Sequence, residues 1–143
     1  MNSINEGLEL MRQLDDTTHV SGQIRPDEVA GLAGLGITML VNNRPDGEEP
    51  DQPLGSEIEE AARVAGIDYR SVPIIRGIGP ADAEAMQQAI EATDGKMLAF
   101  CRSGTRSALA WAIAKSDGGM PREEIEQRLV SAGVDPTPIA HLL

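Results

Sequence analysis

The sequence predicts an α/β fold with a central, mostly parallel sheet of about four strands flanked by helices. Two observations carry this prediction. Short apolar runs typical of buried strands alternate with helical segments along almost the whole chain, which is the order that produces parallel strands joined by helices. Glycine or proline stands at nearly every junction between these segments, where helices begin and end.

The elements of the first part of the chain follow from these junctions. Residues 1–16 are polar and are interpreted as a lead-in, and residues 19–24 are predicted to form a short strand. A helix is predicted over residues 25–35, because proline and two acids stand in its first turn. Residues 37–41 form a continuous apolar run, which indicates a strand buried on both faces.

The middle of the chain is predicted to contain a long loop, a helix and a strand. Residues 42–54 are rich in proline, glycine and acids, which favours a loop. Ser56, with a glutamate three residues later, is predicted to cap a helix that ends before Gly66. Residues 67–75 are predicted to form a strand that is interrupted near its end by a proline.

The last part of the chain repeats the alternation. Helices are predicted at Pro80–Ala92, from the loop after residue 101 to about residue 116, and over residues 121–132, with a strand at Lys96–Phe100. We expect residues 1–143 to form a single domain with a tail at residues 133–143, since this length is typical of one domain.

Composition narrows the possible partners and compartments. A net charge of −11 argues against nucleic acid or an anionic membrane surface as a partner. The one cysteine excludes an intramolecular disulfide, and no segment has the pattern of a signal peptide or the length of a membrane span, so a cytoplasmic location is expected. Neither histidine has a second ligand at metal-binding spacing, so no metal or other cofactor is expected.

The segment from Cys101 to Ser107 carries the predicted active site. It lies between an apolar strand and a helix, so its backbone N–H groups are expected to surround an anion at the helix N-terminus. The same environment favours the thiolate, which is the nucleophilic form of cysteine. A small buried packing residue is the alternative interpretation of Cys101. Gly104 in the loop and Arg106 at the helix start favour a nucleophile with an anion-binding arginine.

Further candidate residues for substrate binding lie in the same loop and in two others. Arg44 and Arg76 stand in loops predicted to leave other strands of the sheet, and the carboxyl ends of parallel strands share one edge. Arg44 and Arg102 are equally compatible with solvated surface positions, and Ser107 is compatible with helix capping or with stabilising a leaving group. The candidates are Arg102, Ser103, Gly104, Thr105, Ser107, Arg44 and Arg76.

Four residues separate Cys101 from Arg106, a spacing that resembles rhodanese-type sulfurtransferases, whereas protein tyrosine and dual-specificity phosphatases have one residue more. Outside this loop, residues 20–23, 42–48 and 72–74 resemble the small phosphatase-like sulfurtransferases associated with beta-lactamase-like, persulfide-processing hydrolases. The resemblance covers most of the chain. It implies a cysteine-phosphatase-like fold that carries a loop of rhodanese size.

The main hypothesis is a sulfurtransferase. Cys101 would accept a sulfane sulfur from a small anionic donor, such as thiosulfate or a low-molecular-weight persulfide, and pass it to a thiol or another acceptor. Arg76 stands where the resemblance places the general acid of a phosphatase. Asp46 and Asp82 are better interpreted as a turn residue and a helix-start acid. A persulfide-processing hydrolase or a sulfide oxidoreductase is the protein partner that the resemblance implies.

Two alternatives stay open. The first is a phosphatase that acts on phosphotyrosine or a small phosphoester through a cysteinyl-phosphate, since the resemblance outside the loop is to phosphatases. The second is a non-catalytic module that binds an anion in the same loop. In each case the expected ligand is small and anionic, carrying sulfur or phosphorus.

Overall fold

A five-stranded sheet forms the centre of the structure, a computed structural model that describes residues 11–143. The strands follow the spatial order β1-β2-β5-β3-β4. Every neighbouring pair is parallel except β1 and β2, which are antiparallel. The strands are β1 (Arg12–Gln13), β2 (Thr18–Ser21), β3 (Ile37–Asn42), β4 (Asp68–Ser71) and β5 (Lys96–Phe100).

Five α-helices flank this sheet in the described part of the chain. They are α1 (Val29–Gly34), α2 (Gly55–Ala65), α3 (Pro80–Ala92), α4 (Thr105–Asp117) and α5 (Arg122–Ser131). The predicted α/β fold with a mostly parallel sheet is therefore confirmed. The sheet has one strand more than the four or so expected, because part of the predicted lead-in forms the edge strand β1. Residues 1–10 of that lead-in lie outside the described residues.

Several predicted boundaries differ from those observed. The helix expected over residues 25–35 consists of a 3-10 turn at Pro26–Glu28 followed by α1. The turn is tight because the Glu28 N–H donates to the Arg25 carbonyl at 3.0 Å. The strand expected over residues 67–75 is only β4. Beyond it, the N–H groups of Val72 and Ile74 still donate to the carbonyls of Asn42 and Asn43, so this segment follows the end of β3.

The start of α2 corrects the expected capping by Ser56. Leu54 is the N-cap residue, and its N–H donates to the Glu57 carboxylate at 2.9 Å. The Gly55 N–H donates to the Asp46 carboxylate at 2.8 Å. Two carboxylates, one of them from the preceding loop, therefore satisfy N–H groups at this helix start. The bounds of α3 and β5 agree with the prediction, and residues 137–142 of the expected tail form a 3-10 helix.

Two layers of apolar side chains enclose the sheet, and β5 contributes alternately to both. Met97 and Ala99 pack in the layer that includes α3, α4 and α5, whereas Leu98 and Phe100 pack in the layer that includes α1 and α2. This alternation is the two-residue period of a strand. Helix α4 is buried along Ser107 to Ala114. The last residue of β5 therefore leads from the centre of the fold directly to Cys101.

Among residues 11–143, no helix combines the length and the hydrophobicity that crossing a membrane requires.

Candidate active site

The cysteine loop closes between β5 and α4, as the sequence predicts. Cys101 is 1% exposed, and its N–H continues the ladder between β5 and β2 by donating to the Ser21 carbonyl at 3.3 Å. The Gly104 N–H donates to Cys101 Sγ at 3.1 Å. Gly104 is the N-cap residue of α4 and has φ +93°, a left-handed conformation that glycine adopts most easily. The sulfur thus lies within a tight turn at a helix N-terminus.

This position has a direct chemical consequence. An N–H donor and the positive end of a helix dipole both stabilise negative charge on a sulfur atom. Helix α4 has 13 residues, which is long enough for an appreciable dipole. The arrangement can therefore support a thiolate nucleophile at Cys101. It can also orient N–H groups toward an anion bound next to that sulfur.

Arg106, in the first turn of α4, links the cysteine loop to two other segments. Its Nη1 donates to the Ile74 carbonyl at 2.9 Å and to Glu48 Oε2 at 3.0 Å. Its Nη2 donates to Glu48 Oε1 at 3.2 Å. The loops that follow β3 and β5 therefore do meet at one edge of the sheet, with the segment after β4 beside them.

Arg44 is buried, with 3% of its surface exposed, and each of its three guanidinium nitrogens donates to a protein acceptor. Nε donates to Glu48 Oε1 at 2.9 Å, Nη1 to Gln23 Oε1 at 3.0 Å and Nη2 to Glu49 Oε1 at 2.6 Å. These bonds hold the loop after β3 against the segment after β2. In this arrangement Arg44 organises the acidic loop and reaches the anion site only through Glu48.

The other two candidate arginines differ in position. Arg102 is 69% exposed in its side chain, and its Nε lies 3.7 Å from Glu49 Oε1. It therefore stands at the mouth of the site, next to the acidic loop. Arg76 is exposed. Within residues 11–143, no hydrogen bond or ion pair joins Arg76 to the cysteine loop or to Arg106.

The hydroxyl groups of the loop divide into exposed and buried ones. Ser103 and Thr105 are exposed, and the Ser103 hydroxyl lies 3.4 Å from the Thr105 hydroxyl. Ser107 is fully buried, and its Oγ has no hydrogen-bond partner among the described residues. The expected capping by Ser107 is not observed, because Gly104 occupies the N-cap position and no side chain caps α4.

Glu48 is the site residue that sequence reasoning missed. Its carboxylate contacts both Arg106 and Arg44, and these contacts lower its pKa, mainly through the hydrogen bond with Arg106, while burial opposes the shift. Glu48 is consequently ionised at neutral pH. The sequence signal for it was weak, since two adjacent acids shortly after an arginine are also common in exposed turns.

Asp82 lies at a helix start, as the sequence suggested, whereas Asp46, which was interpreted as a turn residue, also contacts a helix start. Asp46 accepts from the Gly55 N–H at the start of α2, and Asp82 accepts from the Gly79 N–H at 2.9 Å at the start of α3. In these contacts both carboxylates serve helix N-termini. Neither is hydrogen-bonded to the cysteine loop in the part of the chain that the structure describes.

Comparison with known proteins places this site in a family. The model of the phosphatase-like domain of beta-lactamase hydrolase-like proteins matches residues 10–118. A beta-lactamase hydrolase-like protein of Xylella fastidiosa strain Temecula1 is 42% identical over 115 residues, which cover 79% of this chain. The chain spans only 27% of the length of that relative.

Solved structures agree with this assignment. A candidate phosphatase of Neisseria meningitidis superposes with a TM-score of 0.79 at 33% identity, covering 92% of this chain and 94% of its own. The core catalytic domain of the PP-IP phosphatase SIW14 of S. cerevisiae gives a TM-score of 0.63 at 13% identity, covering 97% of this chain and 87% of its own. The second likeness concerns the fold alone.

These comparisons confirm the expected phosphatase-like fold. They do not confirm the sulfurtransferase hypothesis. Taken by themselves, they support the phosphatase alternative better, because both the family description and the description of the Neisseria meningitidis structure refer to phosphatases.

Proposed function

The chain belongs to the family of phosphatase-like domains of beta-lactamase hydrolase-like proteins, and we propose that it is an enzyme that transfers a small anionic group through a covalent intermediate on Cys101. For the group transferred, we propose a sulfane sulfur, with a phosphoryl group as the second candidate. The comparisons favour the second candidate, whereas the chemistry of the site favours the first.

The observation that carries the sulfur proposal is that Arg106 and Arg44 both donate hydrogen bonds to the Glu48 carboxylate. A phosphatase that acts on poor leaving groups must protonate the departing alkoxide, for which a carboxylic acid near the cysteine is well suited. Glu48 is the carboxylate that contacts Arg106, and this contact lowers its pKa, which favours the ionised form over the protonated form that a general acid needs. Asp46 and Asp82 are hydrogen-bonded to helix N-termini. Sulfite and thiolates leave as stable anions and need no such acid.

The proposed reaction has two displacement steps. The Cys101 thiolate attacks the outer sulfur of thiosulfate, the S–S bond of the donor breaks, and sulfite leaves with the bonding electron pair. Cys101 then carries a persulfide, with the Gly104 N–H close to its inner sulfur. An acceptor thiolate attacks the outer sulfur of this persulfide, which forms the acceptor persulfide and regenerates the Cys101 thiolate. Arg106 would hold the anionic end of the donor.

Partners and donors follow from the same chemistry. A low-molecular-weight persulfide could replace thiosulfate in the first step, with its thiolate as the leaving group. In that case we propose that a persulfide-processing hydrolase or a sulfide oxidoreductase consumes or supplies the persulfide.

The phosphatase candidate is supported by the likeness to phosphatase structures and by the family description. In this reaction the Cys101 thiolate attacks phosphorus, the P–O bond breaks, and the alkoxide or phenolate leaves with the bonding electron pair and takes a proton from water. Water then hydrolyses the cysteinyl-phosphate, which releases phosphate and regenerates the Cys101 thiolate. The lack of an available acid next to Arg106 would restrict such an enzyme to good leaving groups, such as phenolates.

Intact mass spectrometry with a parallel phosphatase assay tests the proposal. Wild-type protein is incubated with thiosulfate, and the same preparation is assayed with an aryl phosphate. The sulfur proposal expects the mass of the wild type to increase by one sulfur atom and that of Cys101→Ser to remain unchanged. Phosphate release that depends on Cys101, without any sulfur gain, would overturn it in favour of the phosphatase. Absence of both activities would support a non-catalytic anion-binding module.

Two matched variants test whether Asp46 or Asp82 acts as the general acid of a phosphatase. Asp46→Asn and Asp82→Asn keep a side-chain oxygen for the helix N-terminus, since asparagine also caps helices well, but remove the only proton-donating group at that position. Sulfur transfer is expected to be retained in both variants. A large loss of aryl phosphate hydrolysis in either one would identify that aspartate as a general acid.

A further inference from the structure

Arg12, on the edge strand β1, contacts the backbone of the cysteine loop. Its Nη2 donates to the Ser103 carbonyl at 2.9 Å, and its Nη1 donates to the carbonyl of Ala132, just after α5, at 3.2 Å. Arg12 was not among the candidates identified from the sequence, because the edge strand that carries it was not predicted. It is half-buried, although it stands near the start of the described chain.

The hydrogen bond from Arg12 to the Ser103 carbonyl involves the same peptide unit whose N–H donates to Cys101 Sγ. The Ser103 carbonyl and the Gly104 N–H belong to one planar trans peptide, so they point in opposite directions. Arg12 holds the carbonyl on one side, and Cys101 Sγ accepts from the N–H at 3.1 Å on the other. A cation bonded to the carbonyl also polarises the peptide and strengthens its N–H as a donor.

The backbone at Gly104 shows how closely the guanidinium approaches this loop. A Cβ atom at residue 104 would lie 2.7 Å from Arg12 Nη2 and 3.3 Å from the Ser21 carbonyl oxygen. Because Gly104 has a left-handed φ and no Cβ, it leaves this space to Arg12. The glycine and the arginine therefore act on the same peptide unit.

We propose that Arg12 is a positioning residue for the Cys101 nucleophile, acting through the Ser103–Gly104 peptide. The guanidinium keeps the Gly104 N–H directed at the sulfur and so stabilises the thiolate without contacting the substrate. The proposal rests on the proposed function only in that Cys101 is the reacting thiol. It holds equally for sulfur transfer and for phosphoryl transfer.

Other charged groups also lie on the loop and on the segments next to it. They are Arg102 and Arg106 on the loop and α4, and Arg44, Glu48 and Glu49 on the segment after β3. Glu48 and Glu49 offset part of the positive charge of these arginines. Arg12 differs from all of them because it bonds to the loop backbone itself.

The test uses the fact that Cys101 is the one cysteine of the chain, so that alkylation reports on this thiol alone. The rate of alkylation by iodoacetamide is measured as a function of pH for the wild type and for Arg12→Gln and Arg12→Lys. Iodoacetamide is uncharged, so its reaction does not depend on the anion-binding role of Arg106. We expect the midpoint of the pH profile to move upward in Arg12→Gln, with a rate at neutral pH about threefold to tenfold lower.

Arg128→Gln is the matched control for a purely structural role. Arg128 Nη1 donates to the Leu14 carbonyl at 3.3 Å, so this residue also joins α5 to the region of β1, but it does not contact the cysteine loop. We expect an unchanged alkylation profile for Arg128→Gln. The midpoint of the pH profile should shift less in Arg12→Lys than in Arg12→Gln. Thermal unfolding of each variant shows whether the fold persists.

A wild-type profile in Arg12→Gln would overturn the inference, and so would equal shifts in Arg12→Gln and Arg128→Gln. If Arg12→Gln does not fold, a folded Arg12→Lys whose shift equals that of Arg128→Gln would overturn it. Should neither Arg12 variant fold, a Gly104 amide that exchanges with solvent equally fast before and after alkylation of wild-type Cys101 would also overturn it. Failure of the proposed function looks different, since wild-type Cys101 would then be alkylated normally but would transfer neither sulfur nor phosphate.

Discussion

Glu48 and Arg106 form a two-point ion pair, with Oε2 3.0 Å from Nη1 and Oε1 3.2 Å from Nη2. The two guanidinium nitrogens that would bind a substrate oxyanion therefore already hold a carboxylate of the protein. An incoming anion must either displace Glu48 or share Arg106 with it. Glu48 thus influences both the affinity of the site and the orientation of Arg106.

Glu48→Gln is expected to lower the KM for an anionic donor about threefold or more without raising kcat, because it removes a competing negative charge from Arg106. Steady-state kinetics with thiosulfate and an acceptor thiol give both constants. Glu49→Gln is the control, since Glu49 bonds to Arg44 and lies near Arg102 but does not contact Arg106. A higher KM in Glu48→Gln would show instead that the carboxylate serves to position Arg106 for the substrate.

Stability should depend on pH through the same carboxylate. The pKa of Glu48 is lowered in the folded protein, chiefly by Arg106, from its ordinary value of 4.5. Its contribution to the free energy of unfolding is therefore complete above 4.5 and is lost as the pH falls through the lower folded value. We expect the wild type to be more stable than Glu48→Gln at neutral pH and this difference to shrink in acid. Urea unfolding across this range measures it, and a constant difference would contradict the assignment.

Arg106→Lys is expected to reduce kcat/KM for the donor by about tenfold or more, because a lysine cannot make two parallel hydrogen bonds to an oxyanion. Arg102→Lys serves as the comparison. Arg102 is largely exposed and only 3.7 Å from its nearest acid, so its replacement should change kcat/KM by less than about threefold. Equal losses in the two variants, measured in the same transfer assay, would remove the special role assigned to Arg106.

Gly104→Ala should destabilise the fold by about 1–3 kcal/mol through backbone strain, with a further cost from crowding against Arg12 and Ser21. Gly119→Ala provides a matched control, because Gly119 also has a positive φ, of +102°, but a Cβ there would meet no heavy atom within 4 Å. The excess destabilisation of Gly104→Ala over Gly119→Ala, from urea unfolding, isolates the crowding. Equal values would mean that the cysteine loop can shift to accept a side chain.

The sequence predicts the alternating core of this fold well and its edges less well. Strand β5 and helix α3 have strong local signals, namely an apolar run after a turn and a proline at a helix start, and both were predicted with the observed bounds. Strand β1 was missed, because Arg12 and Gln13 are polar and form a strand only through pairing with β2. A strand of two residues has no periodicity that a sequence can reveal.

In the candidate site, too, local sequence predicts some contacts, whereas others depend on the tertiary structure. Cys101, Gly104 and Arg106 lie on one short segment, so their proximity follows from local chain geometry. Glu48 reaches Arg106 across 58 residues of sequence, and that contact depends on the path of the loop after β3, which the buried Arg44 determines. Contacts of this kind arise from tertiary structure and leave little trace in residue spacing. For the same reason, the exposed position of Arg76 could not be anticipated from its place after a strand.

The order of the strands also determines which parts of the site fluctuate. Strand β5 is hydrogen-bonded on both sides, to β2 and to β3, whereas β1 forms an outer edge of the sheet. Amide hydrogens of a central strand exchange with solvent only in rare, extensive openings, while edge strands and loops open locally and often. The backbone that carries the nucleophile is therefore the most persistent part of the site. The edge strand β1 and the acidic loop after β3 can open locally while the backbone of Cys101 stays in place.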